Sequence, residues 1–153
     1  LKSKSQDTDW NQYTLPRRIE QTQFISKLVA EVRSGAQGIN QILLGDFNDT
    51  LNSTPMGEFS DVGLWNLMGW VSKDERYTYI HHGVSQVLDH VLVSPTILGS
   101  FIHVGVSHRN ADYPEILANE PTTSQRASDH DPVLVNIKVL PHKLYLPLGH
   151  GGP

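Results

Sequence analysis

Apolar residues change their spacing several times along the chain, and each change predicts an element. From Lys2 to Tyr13 the sequence is polar and aperiodic, which reads as a loop. After Pro16, Ile25, Leu28, Val29 and Val32 follow the i, i+3, i+4, i+7 stripe of an amphipathic helix, with Gly35 where a C-terminal cap belongs. Gln41 to Leu44 is a short run closed by Gly45 and predicts a buried strand ending at a turn. Pro55 opens a short helical segment through Phe59, and Trp65, Leu67, Met68 and Trp70 then supply bulky packing around Gly63 and Gly69.

Tyr77 to Ile80 and Val87 to Val93 are both strand-like, and the link containing Gly83 predicts a hairpin between them. Phe101 to Val106 is a further strand. From Ser107 to Ala127 periodicity is lost, the sign of a long loop of the kind kept for binding or catalysis. Val133 to Val139 alternates as a final strand, and Pro141 to Pro153, with three Pro and three Gly, reads as an exit linker. The pattern gives one domain over residues 1–140 followed by a tail over 141–153, with no internal repeat.

Composition narrows the function classes. With 153 residues and 38% hydrophobic content, the chain can bury one sizeable core. No stretch is long and apolar enough for membrane insertion. The absence of cysteine removes disulfides, thiolate nucleophiles and Cys-type zinc sites, and leaves the compartment open. A net charge of −4 argues against a polybasic groove that holds nucleic acid by counterion release alone. Between Asp46 and Arg76 six acids face two bases, so a phosphate would need a bound cation to approach. The chain opens on Leu1 with no signal peptide in view, and an upstream segment is expected.

Three short segments carry candidate chemistry. In Gly45-Asp46-Phe47-Asn48, Asp46 and Asn48 share a face and Phe47 turns to the core, a carboxylate for a water beside an amide for a phosphoryl oxygen. Alone, the segment also fits an Asx-capped turn. Asp89 sits in a strand apolar on both faces, with Val87, Val91 and Val93 on one side and Leu88 and Leu92 on the other. A carboxylate there needs a partner, whether a catalytic group or structural backbone amides. Ser128-Asp129-His130-Asp131 puts two carboxylates and an imidazole just before the last strand, a site for a hard cation and a phosphate, or simply a polar turn. His81, His82 and His103 lack partners at metal-ligand spacing and read as structural or solvated. His142 and His150 belong to the tail. Trp65 and Trp70 could stack on bases, but core packing is the preferred reading.

Taken together, the order and spacing of the three motifs resemble the endonuclease/exonuclease/phosphatase superfamily, which includes DNase I-like nucleases, over nearly the whole chain up to Val139. Arg18-Ile19-Glu20-Gln21 is similar to the Arg-x-x-Gln helix start that precedes the Gly-Asp-Phe-Asn strand there. Leu88 to Ser94, His108-Arg109-Asn110-Ala111-Asp112-Tyr113 and Ser128 to Val133 look most like the bacterial extracellular nucleases.

The resemblance implies an α/β fold, the C-terminal half of a two-sheet sandwich, with a mixed or mostly antiparallel sheet and helices on one face. It implies that Asp46 activates the attacking water, Asn48 binds the scissile phosphate, Asp89 holds His130, and His130 stabilises the transition state. Asp129, with Asp46 and Asn48, would hold Mg2+ or a similar ion such as Mn2+ or Ca2+. The family's upstream metal Asn and Glu, and a His that precedes residues like Leu1-Lys2-Ser3-Lys4, have no counterpart in this sequence. The upstream half of the domain is therefore an expected partner, its absence leaving a sheet face exposed and the fragment inactive and marginally soluble. The expected function is phosphodiester hydrolysis on DNA or RNA, at the cell surface or outside the cell. The alternatives are phospholipid, sugar or inositol phosphates as substrates, or a catalytically silent binding domain.

Overall fold

The computed structural model describes residues 1–4, 7–8, 11–36 and 38–138. The 141–153 tail, with His142 and His150, and Val139 of the expected final strand lie outside the described residues. Helix α1 (Leu15–Gly35) starts with Pro16 in its first turn, where a missing N–H costs nothing. Its buried row is not the expected apolar stripe. Arg18, Thr22 and Ser26, one turn apart, face inward, because the polar groups of Asp7, Asp49 and the Glu58 carbonyl wait there. Ile25 and Val29 pack beside that row, whereas Leu28 and Val32 are exposed.

Strand β1 (Ile42–Asp46) pairs antiparallel with β5 (Asp89–Val93), and β2 (Trp65–Asn66) pairs with the other edge of β5, giving the order β1-β5-β2. Helix α2 (Thr54–Asp61) and α1 cover one face, where Phe47, Met56, Phe59, Leu64 and Leu92 form a core. On the other face Val91 and Val93 meet Leu67, Met68, Val71, Val87, Ile97 and Val104. That second core is closed by an antiparallel pair, β6 (Phe101–Val106) with β7 (Val133–Ile137), which contributes Val106, Val133, Val135 and Ile137. The layers are thus helices, a three-stranded sheet and a two-stranded sheet, the expected α/β arrangement with every described strand pair antiparallel. Burial of β5 from His90 to Val93 explains its apolar residues on both faces.

Four expectations are corrected. The Gln41–Leu44 strand is an edge rather than a buried strand: Ile42 is 45% and Leu44 68% exposed, because β6 and β7 cover their cross-strand partners Val93 and Val91 without reaching β1. The Gly83 turn joins β3 (Tyr79–His81) to β4 (Val84–Gln86) instead of joining Tyr77–Ile80 to β5. His82 and Gly83, at φ +47° and +80°, supply the two left-handed residues that a tight hairpin needs, so the pairing closes at once and β5 is released to pair with β1. Trp65 and Trp70 are half exposed, since a 3-10 turn over Leu67–Trp70 sends Leu67 and Met68 into the core and leaves Trp70 against the Phe101 ring. The last strand ends at Ile137. The 107–127 segment is irregular as expected, apart from a 3-10 turn at Glu115–Asn119.

Candidate active site

The antiparallel register sets Asp46 directly opposite Asp89 at the shared end of β1 and β5. Beyond that end Phe47 N–H still donates to Leu88 O, at 2.8 Å, and the chain then turns through Asn48, whose φ of +50° Asn tolerates better than most residues. In this turn both Asn48 donors reach back to Asp46, the backbone amide to Oδ1 at 2.7 Å and the side-chain amide to Oδ2 at 2.8 Å. The same side-chain amide lies 3.2 Å from Leu1 O. On the other side, His130 Nδ1 is 2.6 Å from Asp89 Oδ2. A carboxylate accepts, so Nδ1 carries the proton and Nε2 is the nitrogen left for a ligand.

Asp46, Asp89 and His130 therefore converge, with ligand atoms within 4.8 Å of one another. An oxygen-rich set at an open strand end suits a hard divalent cation. Asp129 is exposed, lies outside this cluster and makes no hydrogen bond or ion pair with the described residues. Of the residues singled out from sequence, Asp46, Asn48, Asp89 and His130 are brought together, and Asp129 stands beside them uncommitted.

What holds these groups is a set of residues that the sequence did not mark for the purpose. Under the Asn48 turn, buried Asp49 takes a 2.6 Å bond from Arg18 Nε and has Lys4 Nζ at 3.4 Å. Arg18 also meets Asp7 at 2.8 Å and the Thr14 hydroxyl. Burial alone would lower the Arg18 pKa, yet its two carboxylate partners outweigh that and hold it above the usual value. Asp49 O accepts from His90 Nε2 at 2.9 Å, while Asn66 Nδ2 contacts His90 Nδ1 at 3.0 Å and Asn66 Oδ1 is taken by Met68 N–H. The Asn amide thus faces His90 with its donor, which fixes the neutral Nε2–H tautomer, and burial pushes the His90 pKa down in agreement.

On the His130 side the hub is Asp131, buried although its neighbour Asp129 is exposed. Its Oδ1 accepts from the amides of Asn110, at 2.7 Å, and Ala111, at 3.0 Å, and its Oδ2 meets His108 Nδ1 at 3.0 Å. Asn110 Nδ2 donates to His130 O at 2.7 Å. Buried Thr78 links the β5 and His130 sides of the candidate site: its hydroxyl accepts from Leu88 and Asp89 N–H, each at 3.1 Å, and its carbonyl accepts from Asp131 N–H at 2.7 Å. No local pattern in Tyr77-Thr78-Tyr79 announces this role. For Arg18 and Gln21 a signal did exist in the Arg-x-x-Gln resemblance: Arg18 anchors Asp49, and Gln21 Oε1 accepts from Lys2 N–H at 2.8 Å.

The family model for "Endonuclease/Exonuclease/phosphatase family" matches residues 8–130, most of the chain, including the first two motifs and the third as far as His130. The chain belongs to the endonuclease/exonuclease/phosphatase family. No curated protein matches it. Among solved structures, a 3′ phosphatase from Neisseria, bound to a product DNA hairpin, is similar over 90% of this chain and 58% of its own, at 19% identity and a TM-score of 0.57. A 3′-5′ exonuclease from Neisseria meningitidis has the same coverage and identity with a TM-score of 0.58. A mannosyl-6-phosphatase from Bacteroides thetaiotaomicron matches over 84% of this chain and 48% of its own, at 20% identity and a TM-score of 0.58. These likenesses establish the DNase I-like fold, of which the chain spans about half to three-fifths of each neighbour's length.

Proposed function

We propose that this chain carries the phosphate-facing half of a metal-dependent phosphodiesterase active site whose substrate is nucleic acid. The observation that carries the reading is the meeting of Asp46 with the Asp89–His130 pair across the β1–β5 register, beside the Asn48 amide. In this reading Asp46 accepts a proton from the attacking water, and Asn48 exchanges its bond to Asp46 Oδ2 for one to a phosphoryl oxygen. Asp89 stabilises the doubly protonated His130 ring, whose Nε2–H then donates to the phosphate. Asp46 and Asn48 would hold a divalent cation, preferably Mg2+, with exposed Asp129 turning in from outside the convergent cluster to join them. When bound, that ion supplies charge neutralisation at the phosphoryl oxygens. The exposed Ile42 and Leu44 face is the proposed seat of the remaining half of the domain, with the missing metal ligands. Export from the cell is part of the proposal, on the likeness of His108–Tyr113 to extracellular nucleases. No helix among the described residues is long and apolar enough to cross a membrane.

The test uses the full-length protein with Mg2+ on plasmid, single-stranded oligonucleotide, and a panel of sugar, inositol and lipid phosphate esters. Asp46→Ala and His130→Ala should each slow cleavage by about 100-fold or more, and a chelator should abolish it. Unchanged cleavage in either variant rejects its assigned role. Turnover confined to monoesters such as mannose 6-phosphate makes the protein a phosphatase, and wild-type inertness towards every ester makes it a silent binding domain.

A further inference from the structure

The β3–β4 hairpin carries a row of rings that this chemistry leaves unused. Tyr79 and His81 are two residues apart on a strand and so share a face, which their cross-strand partners Gln86 and Val84 extend onto β4. One end of the row touches the site: the Tyr79 ring centroid is 4.8 Å from that of His130, at 31°, and the two backbones form a bridge. Beyond Tyr79 the His81 ring follows at 6.0 Å and 17°, and His82 closes the row edge-on, 4.1 Å from His81 at 66°. His81 and His82 are exposed, and Val84 is 60% exposed.

We propose that this hairpin face is a nucleobase-stacking subsite, which seats the bases of a single strand next to the phosphate held at His130. The inference rests on the phosphodiesterase reading and supplies its substrate class. Planar rings accept the faces of unstacked bases whatever their sequence, and the run from Tyr79 through His81 to His82 extends beyond what a single sugar monophosphate can cover. Stacking would also supply affinity that the local charge does not, since acids outnumber bases six to two between Asp46 and Arg76. The tryptophans do not compete for this role. Trp65 stands opposite Val93, about 13 Å along β5 from Asp89 at roughly 3.3 Å per residue, and Trp70 packs on Phe101.

The test is equilibrium binding by the full-length protein in chelator, so that nothing is cut. The probes are labelled oligo-deoxythymidine, an abasic oligonucleotide of equal length, and mannose 6-phosphate. The base-bearing strand should bind about tenfold more tightly than the abasic one. The double variant His81→Ala with His82→Asn, which keeps a residue tolerant of the left-handed turn, should remove most of that difference. It should leave abasic binding, and hydrolysis of a base-free phosphodiester, unchanged. Tyr79→Phe should retain the preference. Equal binding of the two strands, a preference that survives the double variant, or sugar-phosphate binding that falls with it would overturn the subsite. Failure of the phosphodiesterase reading is seen separately, in the cleavage assay.

Discussion

The two sides of the candidate site are held by different physics. Beneath Asp46 and Asn48 lies a buried ionic cluster, Asp7–Arg18–Asp49 with Lys4 at its edge, in which each charge depends on its partner. Beneath His130 lies a clamp in which backbone amides converge on one carboxylate, Asp131, and a side-chain amide holds the His130 carbonyl. An ionic cluster stripped of its cation leaves uncompensated buried charge and unsettles the elements that it joins, here α1 and the end of β1. A clamp of amide donors can open locally, because its donors belong to one irregular loop rather than to the sheet.

The largest effect should come from Arg18→Ala, which strands Asp7 and Asp49 and should cost about 3–5 kcal/mol in chemical denaturation of the full-length protein. Arg18→Lys should recover little, since a lysine cannot present Nε and Nη1 to two carboxylates at once. A cost below about 1 kcal/mol would show a hydrated cluster and erase the contrast. Next, Asp131→Ala leaves the Asn110 and Ala111 amides unpaired, at about 1–3 kcal/mol for an unsatisfied buried donor. Hydrogen exchange should then quicken across 108–112 while α1 keeps its protection; exchange rising equally in both would mean that the clamp is not local.

Titration should separate the two sides more gently. Burial of Asp7 would raise its pKa, but the Thr14 amide and Arg18 overcome this and hold the carboxyl below the usual range. Its contribution is therefore complete above the unfolded value of about 3.9 and is lost as pH falls through the lower folded value, so Asp7→Asn should flatten the acid limb of the stability curve. On the clamp side, burial and then the bond to Asp112 push the Tyr77 phenol up to about 12. Its contribution is intact below the unfolded value of about 10 and declines as pH rises from there towards about 12. Ultraviolet titration should show a late transition for Tyr77, which Asp112→Asn lowers.

Much of this site was legible because its chemistry is written in contiguous motifs at strand ends. Asp46 and Asp89 occupy the strand termini, and Asn48 and His130 the turns beside strands, that periodicity could locate, and the apolar residues on both faces of the Asp89 strand matched its burial between two cores. The supports were illegible for a matching reason: Thr78, Asn110 and Asp131 act on partners 10 to 53 residues away, through bonds that no local period encodes. Helix α1 shows the limit of pattern reading most plainly. Its apolar stripe was real, but the inward row was chosen by Arg18, because a buried guanidinium must follow its carboxylates.

By itself, then, the sequence determined the order of the two longer helices and of strands β1, β3, β5, β6 and β7, the family, and which residues are the candidates for meeting a phosphate, all of which depend on residue type and short-range spacing. Only the tertiary structure decided which strand would be central and which an edge, which hairpin Gly83 would close, and that Asp131 would turn inward while Asp129 stayed out. It also decided that Tyr79, with His81 beyond it, rather than either tryptophan, would lie beside His130. Those outcomes follow from pairing register and from the need to satisfy every buried polar group, and both are settled between segments distant in the chain.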